Sequence, residues 1–491
     1  MNTDLLKKKI LDLAIKGKLV EQRPEEGTAE DLYQQIQEEK ANLIKEGKLK
    51  KEKPLASIDD DEIPFDIPEN WKWVRVGSIG SWGAGSTPSR TNSSFYGGDI
   101  PWLKTGDLTD GNVDKIPEKI TQLALEKCSL KVNPVGSVLI AMYGATIGKL
   151  GILTVPATTN QACCACSVFN GMFNKYLFYF LMSRRDSFTK IAVGGAQPNI
   201  SKEKIVNSII PLPPLAEQKR IVEKIDLLFS RLHTVENGLV EIDKISDLTK
   251  KKILDLAIRG KLVKQRPEEC TAEDLYLQIQ EEKANLIKEG KLKKEKPLAP
   301  IENDDIPFDL PESWKWVRIR DISLLVTKGT TPRGGNVAYT DKGVGFLRAE
   351  NVNGLTTLNL SNLKFVSEKA HQNELKRSVL EDGDILVTIA GTLGRTAVVQ
   401  STDLPLNANQ AISIVRMIFK SENMLKYAAF ALNANTIQQI LLRQTKQTAI
   451  PNLTLEIVGN CIIPLPPLAE QKRIVAKVEE LLALCDKLKL K

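Results

Sequence analysis

The sequence predicts an α+β protein. Two globular domains are separated by long helices that pack as an antiparallel coiled coil, in a circular pseudo-two-fold arrangement. Three observations lead there. The fourteen residues IIPLPPLAEQKRIV stand at 209–222 and again, unchanged, at 462–475. Residues 7–73 recur at 250–316 with ten differences in 67 positions. Between these near-copies lie two long blocks that diverge sharply.

The repeats divide the chain in order. A helical segment covers 1–61 and a first variable domain 62–212. A central helix covers 213–260, and a second copy of the helical connector covers 261–305. A second variable domain covers 306–465 and a distal helix 466–491.

Pro213-Pro214 can only open a helix. Apolar residues then fall in 4-3 spacing: Ile221, Ile225, Leu228, Leu232, Val235, Leu239 and Ile242. The pattern passes Ser246 and Thr249 and resumes at Ile253 and Leu256. This is a coiled-coil seam. Ile474, Val478, Leu481, Cys485 and Leu488 hold the same phase in the copy. Gly260 is the expected C-cap. A helix of this length, roughly 70 Å, with one apolar stripe needs a partner, and the second copy is the obvious one. Lys491 aligns with Gly238 and Met1 with Lys244. Joining the ends would rebuild the central helix with only 239–243 missing. The expectation is a ring opened within one helix, its ends close together.

The variable blocks share landmarks in a common order. Each opens on a tryptophan pair, IPFDIPENWKWVRV or IPFDLPESWKWVRI. A Thr-Pro loop follows, GAGSTPSR or TKGTTPRGG, then DIPWLKTGDLTDG or GVGFLRAENVNG. Later come VLIAMYGATIGKLGIL or ILVTIAGTLGRTAVV, then TTNQACCACSV or LNANQAISIV. GGAQPNIS or TAIPNLT closes each block. Short β-branched runs punctuated by Gly, Asn and Asp predict strands and turns with a few helices, in equivalent topology.

Composition excludes several classes. No apolar run reaches the ~18 residues of a membrane span. The N-terminus reads as an amphipathic helix without a cleavage site. Seven cysteines and two histidines, His233 and His371, match no metal spacing, and QACCACSV suits a buried strand. A reduced cytoplasm is expected. The net charge of +7 is concentrated: 62–212 and 306–465 carry +4 each, the rest −1. That fits two surfaces that each meet a polyanion.

Catalytic motifs are missing. An adenine methyltransferase needs Asn/Asp-Pro-Pro-aromatic to hold a flipped base, and the chain offers LPPL. GATIGKL has three residues, not four, before Gly148-Lys149, and no Ser or Thr follows. The acidic residues form no nuclease cluster.

DNA reading without catalysis is the sharper reading, and a family resemblance, more than the charge, decides for it. Arg, Lys, Asn and Gln read base edges, while Lys, Ser, Thr and amides hold phosphates. Candidates in the first block are Thr87, Arg90, Asn92, Lys104, Thr105, Lys149, Gln161 and Gln197. In the second they are Thr330, Arg333, Arg348, Asn351, Arg395, Gln410, Lys446 and Gln447. Gln161 and Gln410 recur in both blocks, so structural or phosphate roles suit them. Arg90, Arg333, Arg348 and Gln447 differ between blocks and are expected at bases. The seam residues Ile221, Ile225, Leu228, Leu232, Val235, Ile474, Val478 and Leu481 are the candidate partner-binding and coiled-coil set. A coiled-coil adaptor with two protein-binding domains, and a stand-alone methyltransferase or nuclease, remain the alternatives.

Taken together, IIPLPPLAEQKRIV opening a heptad helix, PENWKWVRVG, GDIPWLKTGDL and GGAQPNIS resemble the specificity subunit of Type I restriction–modification systems. The resemblance covers essentially the whole chain. It implies two target-recognition domains, each reading one half of a split, asymmetric double-stranded DNA site. It implies conserved helices that set the spacing and dock two methyltransferase subunits, with restriction subunits joining them. It implies no cofactor on this chain, S-adenosylmethionine and ATP with magnesium belonging to partner subunits, and no membrane.

Overall fold

The computed structural model describes residues 2–192, 199–294, 298–334, 339–352, 354–443, 445 and 452–489. It divides into two compact units, Met1–Gly238 and Leu239–Lys491.

The first unit opens with α1 (Thr3–Ile15) and α2 (Ala29–Lys45). Then come β1 (Lys72–Arg75), β2 (Gly80–Ala84), β3 (Tyr96–Leu103), β4 (Gly111–Val113) and β5 (Lys119–Ile120). After α3 (Gln122–Lys127) follow β6 (Val138–Ala141), β7 (Leu150–Leu153), β8 (Thr158–Thr159) and β9 (Cys163–Val168). Then α4 (Asn174–Ser183), α5 (Arg185–Ala192), α6 (Lys202–Asn207) and β10 (Ile209–Leu212) lead into α7 (Leu215–Ile258). One sheet has the order β2-β9-β6-β7-β4 and a second β5-β3-β8, while β1 pairs with β10.

The second unit takes the rest of α7, then α8 (Ala272–Lys288), β11 (Lys315–Arg318), α9 (Ile319–Ile322) and β12 (Ser323–Lys328). Next are β13 (Val344–Leu347), β14 (Lys364–Val366), β15 (Ile385–Thr388), β16 (Thr396–Val398), β17 (Leu406–Ala408) and β18 (Ile412–Met417). It closes with α10 (Glu422–Asn433), α11 (Asn435–Arg443), α12 (Leu455–Asn460), β19 (Ile462–Leu465) and α13 (Leu468–Leu488). Its sheets run β12-β18-β15-β16, β14-β13-β17 and β11-β19. Strand for strand this is the first unit's topology, less a counterpart of β4 among the described residues.

The near-continuous apolar runs follow from burial on both faces. In β9, Cys164 and Cys166 join the core under α4, with Tyr176, Leu177 and Phe180. Cys163 and Ala165 face a second cluster with Leu103 and Leu108. In β18, Val415 lies in one core and Ile412 and Ile414 in another. Burial pushes the Cys164 thiol up to about 12, which keeps it protonated and unreactive.

In the seam, Ile221 and Ile225 are buried, Leu228 and Leu232 half-buried and Val235 exposed. In α13, Ile474 and Val478 are buried and Leu481 half-buried. Within the second unit the later part of α7 lies against α13: Ser246 Oγ donates to the Cys485 carbonyl at 3.1 Å, and Lys489 pairs with Asp247 at 2.9 Å. Within the first, α1 lies against the earlier part of α7, with Lys7 and Glu236 at 2.8 Å. Residues 3–15 are the sequence copy of 246–258, so the same helix pair is built twice.

The repeated fourteen residues have a physical explanation. In β10 and β19 the alternating Ile210 and Leu212, or Ile463 and Leu465, enter the core. Pro211 and Pro464 lack an N–H but offer carbonyls, which accept from Tyr176 and Tyr427 hydroxyls at 2.8 and 2.9 Å. The glutamate that follows is buried. Glu217 is 0% exposed and accepts from Trp71 Nε1 at 2.9 Å and Gln22 Nε2 at 2.7 Å. Glu470 repeats this with Trp314 at 2.9 Å and Gln265 at 2.6 Å. Beside each, Arg220 pairs with Glu26 and Arg473 with Glu269, both at 2.6 Å.

Burial raises the Glu217 carboxyl above its ordinary value, against the pull of those hydrogen bonds. A carboxyl raised on folding contributes stability below its ordinary value and loses it as pH climbs through the raised one. Removing the indole N–H raises it further. Trp71→Phe should therefore cost about 1–3 kcal/mol at neutral pH, and clearly less below pH 4.5, by urea unfolding. An equal loss at both pH values would assign the effect to indole packing instead.

Candidate nucleic-acid interface

The strand register gathers the candidate loops. Leu103, ending β3, lies beside Thr159, ending the parallel β8. Ala84, ending β2, faces Cys164 near the start of β9, and Ala141, ending β6, faces Cys163. The Thr-Pro loop, the β3–β4 loop, the β6–β7 hairpin and the β8–β9 turn therefore emerge at one end of the first unit's sheets. In the second unit Leu347 lies beside Ala408, and Thr388 and Lys328 face Ile412 and Ser413. The same four loops emerge at the same end.

Each Thr-Pro loop starts from a glycine pressed onto the neighbouring strand. A Cβ on Gly85 would sit 1.9 Å from the Thr159 carbonyl oxygen, and one on Gly329 2.1 Å from that of Asn409. Only glycine permits that approach. The next amides complete the anchor: Ser86 N donates to Thr159 O at 3.0 Å and Thr330 N to Ala408 O at 2.9 Å. Thr87 and Gln161, both exposed, hydrogen-bond each other.

Arg90 lies over two aromatic rings. Its guanidinium is 4.7 Å from the Tyr96 centroid and 5.2 Å from that of Trp102. The rings meet edge to face at 6.0 Å. They are locked to the loop they support, since Tyr96 Oη donates to the Pro88 carbonyl at 2.6 Å and Trp102 Nε1 to that of Ser86 at 3.0 Å. Glu118 joins the two cations: one oxygen takes Arg90 Nη2 at 2.9 Å, the other Lys104 Nζ at 2.7 Å. The Lys104 hydrogen bond, aided by Arg90, holds the Glu118 carboxyl below its ordinary value. The second unit places Tyr339, in the loop before β13, and Phe346, within β13, together at 5.6 Å. There Arg348 pairs with Glu350, and the amide of the exposed Arg333 donates to Glu374 at 2.5 Å.

Lys149 and Arg395 stand exposed at the same point of the two hairpins, each after a glycine whose carbonyl is held. Arg185 Nε holds Gly148 O at 2.9 Å and pairs with Asp110, and Gln438 Nε2 holds Gly394 O at 2.8 Å. Neither Lys149 nor Arg395 has an ion pair among the described residues.

Other candidates serve the backbone. Asn92 caps a turn, accepting from Ser94 N at 3.1 Å. Asn351 is 2% exposed and ties the Arg348 amide to the Asn359 carbonyl at 2.8 and 2.9 Å. Burial puts Asn351 beneath the surface, as a support for Arg348. Thr105 is half-buried in a tight turn, while Gln410 is exposed. Gln197, Lys446 and Gln447 lie outside the described residues. Sequence reasoning missed Glu118, Tyr96, Arg185 and Gln438. An acid in the segment before β5 and a tyrosine before two glycines carry no local signature of the contact they make. Among the described residues no group of three or more His, Cys, Asp or Glu is placed to hold a metal ion, and no helix is long and apolar enough to cross a membrane.

The family described as Type I restriction modification DNA specificity domain matches residues 68–242 and 311–490. The chain belongs to that family. Each of the two matches covers most of one variable block and part of the helix that follows it, so the family's domain is present twice. The family is one of DNA recognition, and its members are recognition subunits, not the catalysts. The EcoEI specificity subunit of Escherichia coli is 28% identical, over 99% of this chain and 90% of that protein. The EcoAI specificity subunit from the same organism is 27% identical, over 99% and 90%. A chain from a solved type I R-M system superposes with a TM-score of 0.61 at 20% identity, covering 87% of this chain and 93% of that one. The HsdS subunit from Thermoanaerobacter tengcongensis gives 0.50 at 21%, covering 87% and 92%. The two structures show likeness of fold.

Unpaired hairpin cations suit phosphates, which position a protein without reading sequence. Lys149→Ala and Arg395→Ala should each lower the slope of log affinity against log salt by about 1. Binding titrations on a target duplex at several salt concentrations measure this. Sequence preference should stay as it was; relaxed preference at one base pair would make that residue a base reader.

Proposed function

We propose that this chain is the DNA-reading subunit of a Type I restriction–modification complex, and that each unit reads one half of an asymmetric, bipartite duplex site. The observation that carries this is the repetition of one loop set, at the same sheet end of each unit, with different residues at its tips. Identical loops would read identical half-sites; different ones read different halves. Lys149, Arg395, Thr87 and Thr330 hold phosphates in this reading, and Arg90, Lys104, Arg333 and Arg348 meet base edges. Gln161 and Gln410 sit beside them as phosphate-facing or structural groups. The repeated helices dock two methyltransferase subunits, which supply S-adenosylmethionine. Restriction subunits with ATP and magnesium join that assembly in the cytoplasm.

The test is a methylome. A host expressing the chain with its methyltransferase should gain methylation at a bipartite target whose halves differ, and a host expressing the chain alone should gain none. Methylation by the chain alone would make it an enzyme. A contiguous palindrome would contradict two different readers. Absence of salt-dependent duplex binding by the purified complex would favour a protein adaptor.

A further inference from the structure

We propose that Glu118 is a specificity-determining positioning residue, which holds Arg90 to read a guanine in the half-site of the first unit. The inference rests on the DNA-reading function above and names a base class within it. Arg90 is exposed on a loop, where an arginine ordinarily samples many rotamers, and ordering it costs side-chain entropy. Here the cost is met before DNA arrives. Two rings lie within 5.2 Å of the guanidinium, and Glu118 holds Nη2 at 2.9 Å. The rings are fixed in turn by the loop carbonyls of Pro88 and Ser86. Nη2 carries two hydrogens, so it can give one to Glu118 and keep the other, which forms a two-donor fork with a hydrogen of the adjacent Nη1 or Nε.

Guanine is the base that answers such a group. It presents two adjacent acceptors, O6 and N7, in the major groove, whereas adenine pairs its acceptor with a donor and cytosine presents a donor. The carboxylate argues against a phosphate as the ligand. Its charge opposes an anion and cancels one of the two cations it touches. A neutral base edge pays no such penalty. Lys149 and Arg395 show the contrast, since neither makes an ion pair among the described residues. Lys104, on the other oxygen of Glu118, keeps that carboxylate ionised and aimed.

The experiment uses the full chain with its methyltransferase in a host, read by methylome, and the purified complex in salt titrations. The wild-type complex is the control for the underlying function: if it methylates no bipartite target, that function fails and not this inference. Given a wild-type target, Glu118→Gln should relax one G·C position of one half-site at least about tenfold. The other half-site should be unchanged and the salt slope no smaller. Arg90→Ala and Arg90→Lys should relax the same position, the lysine keeping the charge but losing the fork. Unchanged preference in Glu118→Gln, relaxation at a base pair other than G·C, or an Arg90→Ala variant that loses about one unit of salt slope without relaxing, would each overturn the assignment. If Glu118→Gln abolished methylation altogether, Arg90→Lys decides: relaxation at a guanine supports the proposal and an unchanged target overturns it.

Discussion

A buried carboxylate ties together three distant stretches of each unit. Glu217 opens α7, Trp71 precedes β1 and Gln22 follows α1; Glu470, Trp314 and Gln265 repeat them. Leaving a buried carboxyl short of one hydrogen-bond donor costs about 1–3 kcal/mol. The three residues therefore tolerate change only together. Gln218 and Gln471, fully buried beside them, donate to the Pro213 and Pro466 carbonyls at 2.9 and 2.8 Å. These polar contacts fix how the helical segment, the first strand and the long helix meet. They account for a repeat kept unchanged through its polar as well as its apolar positions.

The same contacts free the other end of each unit. β1 and β10 pair with the register Lys72 to Leu212, and β11 and β19 with Lys315 to Leu465. The variable block thus leaves and returns at one fixed point. Everything between can change if its core volume and strand order hold. The sheet order does hold, while the loop tips differ in length, charge and partner. Arg90 rests on rings and a carboxylate; Arg333 is exposed.

Much of this was legible in the sequence. The repeats and the 4-3 spacing predicted a central helix over 213–260 and the structure has it over Leu215–Ile258, because a long periodic pattern leaves little freedom of phase. The cysteine-rich run predicted a buried strand, found as β9. What stayed hidden was contact between side chains far apart in the chain. Glu118 meets Arg90 across 28 residues and Glu217 meets Gln22 across 195. Residue type also misled. Asn92 and Asn351 have base-reading chemistry, yet each spends its amide on a turn, which an asparagine does wherever a backbone N–H lies in reach.

The two hairpins show which property is held fixed between the readers. Gly148 and Gly394 precede Lys149 and Arg395, and each offers a carbonyl to a helix behind it. In the first unit the donor is Arg185, opening α5; in the second it is Gln438, within α11. The first donor needs a counter-ion and has one in Asp110, whose carboxylate also accepts from Leu150 N at 2.9 Å. The second is neutral and needs none. So the hydrogen bond to the carbonyl persists while the residue, its charge and its helix position change. A cation carried just after that carbonyl keeps its place whatever the neighbouring loops become. Such a fixed cation suits a uniform phosphate backbone, and it leaves base identity to the tips whose supports differ.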